Sequence, residues 1–249
     1  MLPSTTASPI ELAAAPLHGF RGDTNVSART RPCGLTIAIS RQAGARGTTI
    51  ARKVAAILDW QLFDHDTLDY LAQTDTAREQ LLAEIPPKAL AWSAEQLQYL
   101  QRDRGLNATG EVLPLVQLVL NIAARGHVVI VGRAAGFLLP PETTLHVRVI
   151  ASLESRVAYL AQELRLTRPE AAAEVRARDE RRAAFLDQML SVDPADLTAY
   201  DIVVNSDRLG IEAAAQVVCG AIRAKPPFAA QTPAHENSSL DTLEELTGG

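Results

Sequence analysis

The sequence predicts an α/β fold in which a parallel sheet of about five strands is flanked by helices on both faces. Two observations carry this prediction. Short apolar runs, LTIAI, QLF, HVVIV, LHVRVIA and DIVVN, alternate along the chain with segments of helical periodicity. The first run also leads through a short glycine-containing loop into an amphipathic helix that reaches Leu58.

Composition and charge narrow the class of ligand. The chain has 249 residues, of which 47% are hydrophobic, enough for one domain with a small insert. Its net charge of −5 provides no global basic field to attract nucleic acid, so we expect a small ligand. Cys33 and Cys219 do not suggest a disulfide framework, and no apolar run approaches membrane-spanning length. These features favour a cytoplasmic protein without a membrane segment.

The predicted domain covers residues 34–224. Residues 1–33 and 225–249 are rich in small and polar residues without periodicity, and we predict that both are disordered tails. Residues 74–110 are polar, helical in composition and interrupted by a Pro-Pro pair, which indicates a helical insert between the second and third strands.

Three residues mark predicted helix ends. Gly126 follows LVQLVLNIAAR as the residue after a helix, and Ser152 opens SLESRVAYLAQELRL as an N-cap. Gly210 precedes the last helical segment, IEAAAQVVCGAI.

The loop from Ser40 to Thr48 is a candidate phosphate site. A strand that turns tightly into a helix directs backbone N–H groups and the positive end of the helix dipole at one point, where an anion is stabilised. The nucleotide-binding pattern GxxxxGK[ST] is matched only in part: Arg46 stands at the lysine position, and Ser40 stands at the first glycine. Arg41 and Arg46 supply the positive charge, because none of the lysines lies in the loop. The alternative is a plain strand-to-helix turn.

Acidic residues follow the second strand. Asp64 and Asp66 could hydrogen-bond a ligand or hold the water shell of a metal, and the alternative of a helix cap suits Asp66 better than Asp64. His65 is interpreted as a bystander.

Two groups of arginines complete the candidate site. Arg133 follows Gly132 at the end of the apolar run HVVIV, a position where its charge loses hydration. A bound anion would offset this desolvation, and the alternative is a salt bridge to a neighbouring carboxylate. Arg178, Arg181 and Arg182 share one face of a predicted helix and form either a solvated charged surface or a mobile cover over a nucleotide.

These groups, in this order, resemble the cytidylate kinase-like family of P-loop nucleoside monophosphate kinases over roughly residues 35–224. The family pattern ISRxxGxxGxxIA is matched by ISRQAGARGTTIA, and the aspartate after strand two by FDHDTL. VGRAAG carries the GR pair, and YDIVVNSDRLGIE matches YDxxxNxxRLGIE, the most specific of these motifs.

The resemblance implies a three-layer P-loop NTPase fold with a helical insert at residues 74–110 on the monophosphate side and a helical lid at residues 165–195. It also implies ATP and Mg²⁺ as cofactors and a small nucleotide, CMP or dCMP, as substrate. Residues assigned to the ATP phosphates are Ser40, Arg41, Gly44, Ala45, Arg46, Gly47, Thr48 and Thr49, with Thr48 also on magnesium. Residues assigned to the monophosphate are Asp64, Gly132 and Arg133, and those assigned to catalysis are Arg46, Arg178, Arg181 and Arg182.

The chain departs from the true cytidylate kinases at three positions: Arg46 replaces the loop lysine, and Ala134 and Arg182 replace aspartates. The leading hypothesis is therefore an ATP-dependent kinase for CMP or dCMP. A catalytically weak nucleotide-sensing module, or a kinase for another small acceptor, is the alternative.

Overall fold

The structure is a computed structural model that describes residues 30–108, 110 and 112–226. Most of the two predicted tails, at residues 1–33 and 225–249, lies outside the described residues. Among the helices of the described part, none is both long and apolar enough to cross a bilayer.

The core is one five-stranded sheet in which every neighbouring pair is parallel. The strand order is β2-β3-β1-β4-β5, so the first strand lies at the centre and the chain crosses over it. This confirms the predicted parallel sheet. The strands are β1 (Thr36–Arg41), β2 (Gln61–Phe63), β3 (Val128–Val131), β4 (Thr144–Ile150) and β5 (Ile202–Asn205).

Helices cover both faces of the sheet. They are α1 (Gly47–Leu58), α2 (His65–Gln73), α3 (Asp75–Ala83), α4 (Pro87–Asp103), α5 (Val112–Arg125), α6 (Ala135–Leu138), α7 (Leu153–Leu164), α8 (Arg168–Leu190) and α9 (Ser206–Ala224), with a 3₁₀ turn at Leu197–Ala199. The region of the predicted insert holds α3 and α4, and Pro87 begins α4 because a helix tolerates proline in its first turn.

Alternation along β1 sorts side chains between the two layers. Ile37 and Ile39 are fully buried against α1 and α9, whereas Ala38 packs on the opposite face with α5. Ser40 lies on the same side as Ala38 because side chains two residues apart share a face. Each fully buried isoleucine contributes roughly 1.5–3 kcal/mol, so the sheet holds the polar ends of its strands in fixed positions.

All three predicted helix boundaries are found. Gly126 adopts a left-handed conformation (φ 68°) after α5, and the Ser152 side chain accepts a hydrogen bond from the N–H of Ser155 at 3.2 Å. At Gly210 the backbone is non-helical (φ 72°, ψ 172°), and this kink separates the predicted last helical segment from a first turn whose N–H groups donate to the Asn205 side chain.

Candidate functional site

A cavity of about 890 Å³ lies at the carboxyl ends of β1, β3 and β4 and is covered by the middle of α8. Six arginines and four acids line it, so positive charge is in excess. The arginines are Arg41, Arg133, Arg148, Arg178, Arg181 and Arg182, and the acids are Glu174, Asp179, Glu180 and Asp193. Open parallel sheets bind ligands at this edge, and the charge indicates an anionic one.

The amino terminus of α1 lies beside this cavity and is free to bind an anion. The helix begins at Gly47, its first turn contains no acid, and no side chain caps it. The first N–H groups of a helix have no partner within the helix, so those of Gly47, Thr48 and Thr49 are available to phosphate oxygens. The buried Ala45 side chain packs in the core beneath the loop.

Gly44 fixes the shape of this loop. Its φ is +77°, and a Cβ at this position would lie 2.5 Å from the carbonyl oxygen of Arg156 at the start of α7. Any side chain here would be strained and would also collide with backbone, so only glycine fits.

Arg46 does not line the cavity with the other arginines. Its guanidinium lies over the ring of Tyr159 at 5.6 Å from the centroid, and its backbone is left-handed (φ 57°), the conformation that glycine adopts most easily. The left-handed backbone favours an alignment of Arg46 with the second glycine of GxxxxGK[ST] and of Gly47 with the lysine, one residue from the register used in the sequence analysis.

Arg41 is brought into the cavity instead. Its stem passes Gly47, where an added Cβ would lie 2.7 Å from the Arg41 Cβ, and its Nη1 lies against Gly132. Burial, followed by the charges of Arg182 and Arg133, lowers the pKa of Arg41 to about 10, and the charge of Asp64 offsets this only in part. An arriving anion would relieve this repulsion.

Arg148 is a cavity residue that the sequence analysis missed. It lies on β4 beside Ser40 of β1, its guanidinium is 5.6 Å from the Tyr200 ring centroid, and it forms no salt bridge with a described residue. The sequence contained an indication of this position. Arg148 interrupts the apolar run LHVRVIA between Val147 and Val149, and neighbouring residues of a strand point to opposite faces of the sheet.

Ser40 faces the cavity with its hydroxyl already committed. The Nδ1 of His146 is 2.8 Å from the carbonyl oxygen of Ala199, which can only accept, so Nδ1 carries the hydrogen. The Nε2 of His146 must then accept from the Ser40 hydroxyl at 2.9 Å. Burial lowers the pKa of His146 to about 4 despite the neighbouring carbonyl and Asp201 carboxylate, so the ring is neutral. The Ser40 hydroxyl thus has no hydrogen left to donate to a phosphate oxygen.

Asp64, rather than Asp66, caps helix α2. Its carboxylate accepts from the N–H and hydroxyl of Thr67 at 3.2 and 3.0 Å and pairs with Arg52 at 3.2 Å. Burial alone would raise the pKa of Asp64, but these hydrogen bonds outweigh it and hold the pKa below its ordinary value. Asp64 does not line the cavity, whereas His65, which was interpreted as a bystander, does.

Arg133 lies in a strained turn after β3. Gly132, Arg133 and Ala134 are all left-handed, with φ of 80°, 51° and 57°, and such strain is typical of functional sites. The Arg133 guanidinium contacts His65 Nδ1 at 2.9 Å and pairs with Asp69, and its buried Nε has no partner among the described residues. The sequence analysis gave an anion and a salt bridge as alternative partners of Arg133. In the structure Arg133 forms the salt bridge and also lines the cavity.

Helix α8 presents the predicted arginines of the lid to the cavity. Its first half packs through Ala171 and Val175, and its second half through Leu186 and Met189, so both ends are anchored and the charged middle lies over the cavity. The paired contacts are Arg178 with Glu174 at 2.6 Å, Arg181 with Glu174 at 3.5 Å and Arg182 with Asp179 at 3.4 Å.

A second set of contacts connects α8 to the phosphate loop. The Asp179 carboxylate accepts from the N–H of Ala43 at 2.7 Å and from Arg156 at 2.6 Å. The loop is thus attached to α8 through a carboxylate, which occupies one of its N–H groups.

The described residues contain no group of three His, Cys, Asp or Glu side chains able to hold a metal ion. The hydroxyls of Thr48 and Thr49, in the first turn of α1, are oxygen atoms that this end of the loop contains. This donor set suits a Mg²⁺ ion that keeps its waters and is bound through nucleotide phosphates rather than by a protein cage.

A family model described as the cytidylate kinase-like family matches residues 36–208. The chain belongs to this family. A cytidylate kinase from Ignicoccus hospitalis is 30% identical over 106 residues, which cover 43% of this chain and 62% of that protein. A cytidylate kinase from Pyrobaculum islandicum is 24% identical over 183 residues, which cover 74% of this chain and 90% of that protein.

Among solved structures, an uncharacterized protein from Eubacterium ventriosum ATCC 27560 is similar with a TM-score of 0.59 at 17% identity, covering 76% of this chain and 98% of that one. This similarity shows a shared fold alone. For this member of the cytidylate kinase-like family, the sheet and the flanking helices confirm the predicted three-layer P-loop NTPase fold.

Proposed function

We propose that this protein transfers the γ-phosphoryl group of ATP to CMP or dCMP. The observation that carries the proposal is the convergence of an uncapped helix amino terminus with arginines from β1, β3, β4 and α8 at one edge of the sheet. Polyphosphate and monophosphate together would bring the negative charge that this convergence of positive groups requires.

The reaction asks little covalent chemistry of the protein. An oxygen of the acceptor phosphate attacks the γ-phosphorus, the bond from that phosphorus to the bridging oxygen of ADP breaks, and ADP leaves with the electron pair. Charge on the transferring group is spread over three equatorial oxygens, where Arg178 and Arg182 of α8 would stabilise it. Positioning and neutralisation supply the acceleration.

The two substrates would approach from different sides. ATP, bringing Mg²⁺, would place its phosphates on the N–H groups of α1 with Thr48 beside the metal. The monophosphate would bind Arg133, displacing the Asp69 carboxylate that pairs with it. Phosphate carries more charge than one carboxylate, so this exchange favours the ligand.

The test is an ADP-release assay with Mg-ATP and a panel of CMP, dCMP, UMP, AMP and GMP. Turnover on CMP or dCMP above the other acceptors supports the proposal. Thermal shifts with each nucleotide run in parallel, since a ligand bound at 100 times its Kd stabilises the fold by roughly 2.7 kcal/mol. Absence of turnover with every monophosphate would refute a nucleotide kinase activity.

A nucleotide-sensing module is the second candidate function. Two observations favour it: position 47, which aligns with the loop lysine, is glycine, and Ala134 follows the GR pair where true cytidylate kinases have aspartate. Stabilisation by nucleotides without turnover would identify this function. A kinase for another small acceptor would show turnover only outside the nucleotide panel.

A further inference from the structure

Helix α1 lacks the side chain that a phosphate loop ordinarily uses to reach the terminal phosphates. In GxxxxGK[ST] the residue after the second glycine is a lysine. Here Gly47 begins the helix at that position and carries no side chain at all. The positive charge must therefore come from elsewhere if the loop is to hold a polyphosphate.

Arg41 fills the space that a side chain at position 47 would need. A Cβ on Gly47 would lie 2.7 Å from the Arg41 Cβ, a distance that real Cβ atoms essentially never show, and 3.0 Å from the Arg41 Cγ, which is a tight contact. The Arg41 stem thus crosses the first residue of α1. At its other end, the guanidinium contacts Gly132 after β3, where the absence of a side chain again provides room.

This course places the Arg41 guanidinium between the two halves of the site. Gly47 belongs to the helix terminus, which lies outside the cavity lining, while Gly132 and Arg133 line the cavity. A phosphoryl group that moves from a donor on α1 to an acceptor in the cavity would pass this guanidinium.

The charge of Arg41 is not paired with a carboxylate of the described residues. Arg133 pairs with Asp69 and Arg182 pairs with Asp179, whereas Arg41 forms no salt bridge with any described residue. Arg46, the other cation of the loop, lies over Tyr159 instead. Arg41 is therefore the loop cation that lines the cavity, half-buried and open to a ligand.

We propose that Arg41, reaching across Gly47 from strand β1, binds the terminal phosphates of the donor and takes the place of the helix lysine. The inference rests on the proposed function in taking the donor to be a nucleoside triphosphate. Gly47 is then required because the Arg41 stem occupies its side-chain space. A guanidinium also binds two oxygens at once. Arg41 in place of the helix lysine would therefore conserve the positive charge but change the geometry of phosphate binding.

The first experiment compares two arginines of one loop, with inorganic tripolyphosphate and ATP as probes. Isothermal titration of Arg41→Ala should show a loss of tripolyphosphate affinity of about 10-fold or more, and kcat should fall about 100-fold or more. Arg46→Ala should weaken tripolyphosphate binding by less than about threefold, the range of an exposed charge. Equal effects of the two substitutions, or wild-type affinity in Arg41→Ala, would overturn the proposal.

A second experiment relocates the charge. The double variant Arg41→Gly/Gly47→Lys places a lysine on α1 and removes the stem that would collide with it. It should bind tripolyphosphate at least 10-fold more tightly than Arg41→Gly alone, whereas Gly47→Lys alone should be destabilised. A folded double variant that binds no better than Arg41→Gly contradicts the proposal. Circular dichroism of each variant checks that it is folded. If Arg41→Ala of the first experiment does not fold, Arg41→Gln takes its place.

The two proposals fail separately. Wild-type protein that binds tripolyphosphate through Arg41 yet transfers no phosphoryl group refutes the kinase function and supports the role of Arg41. Full turnover on CMP by Arg41→Ala supports the function and refutes the role.

Discussion

His146 should make the fold lose stability as the pH falls from 6.5 towards 4. The ring lies in β4 at 5% exposure, packed edge-on against Phe137, with a centroid separation of 4.8 Å, and tilted against Tyr200 at 4.4 Å. Both ring nitrogens are used by Ser40 and the Ala199 carbonyl. Protonation of Nε2 would break the hydrogen bond from Ser40 and bury a charge.

The size of the effect follows from the pKa. Burial lowers the pKa of His146 from 6.5 to about 4. Between these values the unfolded chain binds a proton that the folded chain does not, so unfolding is favoured by about 1.4 kcal/mol per pH unit. The folded state should lose about 2 kcal/mol between pH 7 and 5, and about 3 kcal/mol by pH 4. Above pH 6.5 His146 adds no pH dependence.

Urea unfolding at pH 7, 6 and 5 measures this loss, with His146→Gln as the comparison. Glutamine does not titrate, yet its amide can donate to the Ala199 carbonyl and accept from Ser40. The free energy of unfolding of the wild type should fall by about 2 kcal/mol more than that of the variant between pH 7 and 5. Parallel pH profiles for the two proteins would refute a buried neutral His146.

Three further outcomes are expected. Arg178→Ala and Arg182→Ala should each lower kcat by about 10- to 1,000-fold while changing the Mg-ATP affinity little. Arg176→Ala, at an exposed position of the same helix, is the control, and equal losses in kcat and in Mg-ATP affinity would contradict a transition-state role. Gly44→Ala should destabilise the fold by about 2 kcal/mol or more in urea melts, because a left-handed backbone and the Arg156 carbonyl both oppose a methyl group. Asp64→Ala should lower the stability of the fold by about 1 kcal/mol because the cap of α2 is lost. Asp64→Ser should restore both that stability and the KM for CMP, and a KM that stays raised in Asp64→Ser would contradict a purely capping role.

The sheet and the arginine cluster were predictable because they depend on patterns. Alternating periodicity identifies parallel strands with crossover helices, and arginines after apolar strands mark the carboxyl edge where ligands bind. The different placement of the two loop arginines was not predictable. Arg41 and Arg46 are the same residue type, and only the structure shows that Arg46, with its left-handed backbone, lies over Tyr159 while Arg41 lines the cavity.

Other site features also depend on tertiary structure. The sequence favoured Asp66 over Asp64 as the α2 cap, and the structure selects Asp64 because the choice depends on where the chain leaves β2. Arg148 reaches the cavity because β4 lies beside β1, a crossover that no local pattern specifies. His65 lines the cavity because Arg133, from a distant part of the chain, is placed beside it.

The carboxylate of Asp179 has a mechanical consequence for any opening of the cavity. It accepts from the Ala43 amide and from the Arg156 guanidinium, both of which lie outside α8, and so ties the helix to the loop and to α7. Moving α8 away from the cavity must therefore either displace the backbone around residue 43 together with the helix or break these contacts first. Under the proposed function, the entry of one substrate would be coupled in this way to the position of the loop that holds the other.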